Sequence, residues 1–170
     1  MQFSFKVISI ILSIIIVISA AGVLIYRNYE SKTFGKIDFY IASDEAPNVS
    51  NIYITVSDIG VYNGYMWSNH SVDKTTDLYL DNFSHPGIIA EISLPHHTYT
   101  YFKLYLSSAY IEVSGVYKKV TLTPNYTKNS LDLNLTGGTT VNLLFSFEIA
   151  RNLNISNQTL TPVTNLTEKL

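Results

Sequence analysis

The histidines and carboxylates come first, because they are the residues here whose chemistry could reach beyond packing. The histidines are His70, His85, His96 and His97, with neither an HxH nor an HxxxH spacing among them. Adjacent residues on a strand face opposite ways, so His96 and His97 could share a metal only from a loop. They read as exposed loop histidines, not as ligands. Asp38, Asp44, Glu45, Asp58, Asp73, Asp77 and Asp81 crowd the first half of the chain, but no DxDxDG calcium loop orders them. Asp44 stands where an Asx side chain would cap its own turn ahead of Pro47. No GxSxG elbow, glycine-rich phosphate loop or locally recognisable Ser/His/Asp set is present. With no cysteine in the chain, thiol catalysis, iron–sulfur ligation and blue-copper ligation drop out. The expectation is a protein that is not an enzyme, with no cofactor, metal or small-molecule substrate.

Tyrosine and asparagine carry the positive signals. There are 13 tyrosines in 170 residues. Tyr99, Tyr101 and Tyr105 alternate with Phe102, Leu104 and Leu106, which places them on one face of a strand with Lys103, and Tyr110 lies nearby. Tyrosine offers a large stiff contact area with a polar tip, suited to a protein interface or to glycan stacking. Tyrosine is also at home on any outward pleated surface. The Asn-x-Ser/Thr pattern occurs at Asn48, Asn69, Asn82, Asn125, Asn134, Asn154, Asn157 and Asn165. Chance at this composition would give about three such triplets, so the excess favours a glycosylated, exported domain.

What positions these residues begins with Val7 to Ile25, VISIILSIIIVISAAGVLI, which carries no charge and no proline. As a helix it would be roughly 28 Å long, close to the hydrocarbon thickness of a bilayer. Lys6 and the Ser19-Ala20-Ala21 stretch also fit a secretory signal, but the apolar run continues through Val23, Leu24 and Ile25, longer than a signal core needs. An uncleaved anchor is therefore expected. Lys6 on one side and Arg27 and Lys32 on the other leave the positive-inside bias weak. The acceptor triplets decide the orientation, with the domain outside.

Charged residues make up only 14% of the chain, against about 25% in an ordinary soluble domain. Net charge is −2 with no basic block, so nucleic acid is not an expected partner. A cysteine-free domain of some 140 external residues must rely on packing and ladder hydrogen bonds alone.

The expected division is a flank at 1–6, an anchor at 7–25, a polar linker at 26–34, a β-domain at 35–150 and a polar, mobile or glycan-coated tail at 151–170. Within the domain, strands are predicted at 35–42, 51–63, 76–80, 88–94, 99–106, 109–113, 117–122, 131–135 and 140–149. A bulge is expected at Ser57-Asp58 and a hairpin turn at Asn63-Gly64. In the tail, Leu153 and Ile155 could add an edge strand. Short strands at near-regular spacing argue for an all-β fold, an antiparallel sandwich of two sheets behind one N-terminal transmembrane helix.

Particular stretches resemble the domain-of-unknown-function family 4382 of exported archaeal and bacterial proteins. They are Gly35 to Pro47 with its SDEAP turn, IYITVSDIGVYNGYMW, Thr76-Asp77-Leu78, LPHHTYTYFKL followed by SSAYIEVSG, and Gly138 to Phe147. The resemblance covers about residues 35–150 and rests on turn and strand signatures. His97, where that family has glycine, and the inserted Glu45 are departures. It implies an Ig-like or transthyretin-like sandwich at a cell surface and transfers no activity.

The leading expectation is an archaeal, single-pass, membrane-anchored glycoprotein held to lipid through 7–25. Its extracellular sandwich would bind envelope components or serve as accessory subunit of a membrane protein complex. In the latter case Ser13, Ser19 and Gly22 could mediate helix packing. The alternative is a secreted, pilus-like fibre subunit, assembling by strand exchange after signal cleavage.

Overall fold

Ile37, Phe39 and Ile41 alternate with Lys36, Asp38 and Tyr40, and this period of two fixes which side of the first strand enters the core. In the computed structural model, which describes residues 5–44, 46–78 and 86–169, the chain begins with helix α1 (Phe5–Thr33). Strands follow as β1 (Phe34–Ser43), β2 (Asn51–Tyr62), β3 (Trp67–Leu78), β4 (Gly87–Pro95), β5 (His97–Val113), β6 (Val116–Leu122), β7 (Tyr126–Leu135) and β8 (Thr140–Phe147). A one-turn helix α2 (Ile149–Asn152) precedes β9 (Leu153–Asn154), β10 (Thr159–Leu160) and β11 (Thr164–Glu168).

Two sheets form, one in the order β11-β8-β1-β4 and the other β3-β2-β5-β6-β10-β9, with β7 also paired to β5. Their facing sides supply one core. Ile37, Phe39, Ile41 and Phe145 of the smaller sheet meet Ile52, Ile54, Phe102 and Leu104 of the larger, all at most 1% exposed. Phe39 stands between Phe102 and Phe145, with ring centroids 6.3 and 6.1 Å away. On the outer side of the smaller sheet Lys36 bridges Asp38 and Glu91 at 3.2 and 2.7 Å.

The all-β, two-layered expectation holds, but the sheets are mixed instead of purely antiparallel. β1 runs parallel to β8 and β10 runs parallel to β6. Each parallel pair joins strands far apart in the chain, whose long connections let both enter from the same end. The bulge near Ser57 is present as a register shift between Val56 and Asp58. Asn63-Gly64 makes its turn, with Gly64 at φ +88° and the Asn63 Oδ1 accepting from the N–H groups of Tyr65 and Met66.

Three expected boundaries are corrected. The linker at 26–34 is nearly all helix, because nothing between Tyr26 and Thr33 breaks the turn and α1 passes directly into β1. The stretches 99–106 and 109–113 are one 17-residue strand, the register shift near Ser107 having looked like a break. The tail from Arg151 onward is folded into both sheets. Leu153 does start an edge strand, while Leu160, Pro162 and Leu166 are buried and β11 pairs with β8. Alternation of buried Thr164 and Leu166 with exposed Asn165 makes this a half-buried strand, which a polar composition had masked.

Candidate interaction surface

Strand β2 pairs along its whole length, Asn51 to Tyr62, with Glu112 back to Tyr101 of β5, and the two strands share a face turned away from the core. At one end the chain leaves α1. There the His96 N–H donates to the Thr33 carbonyl at 2.7 Å and the Gly138 N–H donates to the Phe34 carbonyl at 2.9 Å. This end also holds the β2–β3 hairpin and the start of β5, because Tyr62 pairs with Tyr101. The other end holds Tyr53 opposite Tyr110, and the β5–β6 hairpin. Tyr53 and Tyr62 are nine residues apart, about 30 Å at the usual strand rise.

Near α1, aromatic rings and lysines interleave across four strands. Tyr62 of β2 lies 5.3 Å from Trp67 of β3 and 6.0 Å from Tyr101 of β5. The Lys103 ammonium sits 4.4 Å above the Trp67 ring and Lys128 of β7 sits 4.3 Å above Tyr101. Tyr105 and Tyr126 continue the strip at 6.0 Å. Gly60 leaves room beneath it, since a Cβ there would meet Asn69 Oδ1 at 2.9 Å and the Tyr105 ring at 3.3 Å.

At the far end Tyr53 and Tyr117 pack at 5.5 Å with their hydroxyls 3.3 Å apart. Together with Tyr110 and Thr75 they line a shallow, mostly apolar hollow of about 370 Å³. The hydrogen bond with Tyr53, followed by the negative charge of Glu112, pushes the Tyr117 hydroxyl up to about 12. Between the clusters lies a hydroxyl row in which Ser108 donates to Thr55 Oγ1 at 2.9 Å and Thr55 and Thr75 hydroxyls meet at 3.0 Å.

Of the tyrosines singled out from the sequence, Tyr101, Tyr105 and Tyr110 do share this outer face. Tyr99 does not. A register shift between Tyr99 and Tyr101 turns it inward, 3% exposed, where its hydroxyl donates to the Pro95 carbonyl at 2.9 Å and burial raises its pKa. Tyr53, Tyr62, Trp67, Tyr117 and Tyr126 belong to the surface but were not grouped from the sequence. Their strands pair only in three dimensions, although Tyr62 and Trp67 flanking Asn63-Gly64 were a readable signal.

Similarity to known proteins is slight. No protein-family profile matches the chain, and no curated protein does. A solved structure with a partly similar course is that of a Bacteroides fragilis protein whose cell-adhesion name is provisional. It is 14% identical, with a TM-score of 0.41. The match covers 82% of this chain and 46% of that one, so this chain spans about half that protein's length.

His70 lies on β3, half-buried, its pKa lowered by that burial. His97 packs edge-on to Tyr65 at 6.2 Å and beside Tyr99 at 6.0 Å, and His85 lies outside the described residues. Among the described residues no three metal-ligating side chains group together. Asp44 caps, but not its own turn. Its Oδ1 accepts from the Ile149 and Ala150 N–H groups at 2.5 and 3.1 Å, closing the start of α2. Of the acceptor asparagines, Asn48, Asn69, Asn125, Asn134, Asn154, Asn157 and Asn165 are exposed, and Asn82 lies outside the described residues.

Proposed function

We propose that this protein is a non-enzymatic, membrane-held glycoprotein of the cell surface whose outer β2–β5 face binds a partner. The observation that carries this reading is the cluster of Tyr53, Tyr110 and Tyr117 at the end of the sandwich farthest from α1. Tyr117 is 59% exposed there despite its ring contacts. Rigid aromatic rings with polar tips around a shallow hollow suit a protein anchor residue or a sugar face. Support for the membrane location comes from α1, whose Leu12–Tyr29 stretch is long and apolar enough to cross a bilayer. The exposed acceptor asparagines support an external domain bearing glycans. Membership of the exported-domain family 4382 is part of the same reading, supported by the turn and strand signatures between Gly35 and Phe147.

The partner is an envelope component or a neighbouring membrane complex. The fibre alternative has less support, because β1, the first strand among the described residues, is already paired on both sides, between β8 and β4.

The test is native mass analysis of protein extracted from its own membranes in mild detergent. Wild type is compared with a Tyr53→Ser, Tyr110→Ser, Tyr117→Ser variant whose folding is checked by circular dichroism. A partner that accompanies the wild type and is lost from the folded variant supports the proposal. A wild-type chain that extracts alone, or a variant that keeps the partner, overturns it.

A further inference from the structure

The tip of the β2–β3 hairpin is unusual for this sandwich. Tyr65 is 84% exposed and Met66 66%, and the interleaved Tyr62, Trp67, Tyr101, Lys103 and Lys128 lie immediately behind them. Large apolar side chains that protrude this far have a reason to find another phase.

We infer that this tip enters the headgroup layer of the bilayer that α1 crosses, so that the sandwich rests on lipid at two points. The inference rests on the reading of α1 as an anchor. The tip lies close to the place where the chain leaves α1. His96 donates to the Thr33 carbonyl, and the ring of the next residue, His97, meets Tyr65. The part of α1 long and apolar enough to cross a bilayer ends at Tyr29, with Arg27 and Asn28 in its last turn, four residues before Thr33, or about 6 Å along a helix. The headgroup layer on each side of a bilayer is itself about 5–7 Å deep. The base of the sandwich therefore falls within that layer.

The residue types match the place. Tyrosine and tryptophan are the side chains of the membrane interface, with an apolar body and a polar tip. Lysines held over those rings, together with Arg27 and Lys32 near the end of α1, set positive charge at headgroup depth. A second copy of the chain fits less well. Two protruding side chains on a four-residue turn offer far less than the roughly 1,200 Å² of a stable protein contact.

The experiment uses the full chain in proteoliposomes, with Trp67→Phe removing the only tryptophan of the sequence. One new tryptophan is then introduced at a time, as Tyr65→Trp, Val116→Trp at the opposite end, or Ile18→Trp in the middle of α1. Emission is read against lipids brominated near the headgroup or deep in the acyl chain. The expected result is that Tyr65→Trp loses about half its emission to shallow bromines while Val116→Trp keeps it. Quenching of Ile18→Trp by deep bromines, with Tyr65→Trp no more quenched than Val116→Trp, overturns the lipid contact and leaves the anchor standing. No quenching of Ile18→Trp overturns both.

Discussion

Gly137 faces the backbone carbonyl of Lys32 so closely that no side-chain carbon fits between them. The β7–β8 turn is thereby pressed onto the last turn of α1, and the hydrogen bonds of His96 and Gly138 to Thr33 and Phe34 complete the seam. The helix is not a tether with slack in it.

Gly137→Ala should therefore force the helix end away from the turn and lower the stability of the sandwich by about 1–3 kcal/mol, the usual cost of overpacking. Urea unfolding of the detergent-solubilised chain, followed by Trp67 emission, measures it. Gly22→Ala is the control, since a methyl group there meets nothing within 4 Å. It should leave the midpoint unchanged.

Asp44 joins the end of β1 to α2 across more than a hundred residues of sequence. Asp44→Ala leaves two N–H groups of a partly buried helix start without their acceptor. The expected loss is about 1–2 kcal/mol, and Asp44→Asn, which keeps an oxygen in place, should recover part of it. Equal midpoints for wild type and Asp44→Ala in chemical denaturation would contradict the cap.

Tyr117 titrates near 12 in the folded chain, against about 10 for an ordinary tyrosine. A raised folded-state pKa contributes stability that is complete below pH 10 and is lost as pH rises through 12. In Tyr53→Phe the larger cause disappears and the Tyr117 midpoint should fall toward 10, with Glu112 holding part of the rise. The ζ-carbon shift of Tyr117, assigned with Tyr117→Phe, reports it directly.

His70 behaves in the opposite sense. Burial depresses its pKa below 6.5, so stability is complete above that pH and declines as pH falls through the folded-state value. His70→Gln should flatten that part of the acid limb of a stability–pH profile while leaving the plateau near neutrality in place. An unchanged acid slope would mean that His70 is hydrated in solution.

The core strands were legible because their alternation is undiluted. Ile37, Phe39, Ile41 and Ile52, Ile54, Val56 each state one face without exception. The inward turn of Tyr99 was not legible, because the register shift between Tyr99 and Tyr101, where β7 carries an extra residue between Leu133 and Ser130, reverses the face and no local composition marks it. The final strands were hidden for a different reason. Thr164 and Leu166 bury themselves with an exposed asparagine between them, and only pairing with β8 pays for so polar a strand. The interaction surface was half visible. The residues on β5 stood together in the sequence, but Trp67, Tyr117 and Tyr126 reach them only through pairing across strands.

The position of β1 has a consequence for how the molecule comes into being. Its neighbour β8 starts about a hundred residues later, and β11, which covers β8, ends at Glu168. During synthesis the first strand must wait, unpaired on that edge, until the chain has emerged through Phe147. Closure of the smaller sheet is thus a late event, dominated by distant contacts and slow by the standards of domains this size. A ribosome that stops before Thr164 releases a chain whose β8 edge is open to any strand it meets.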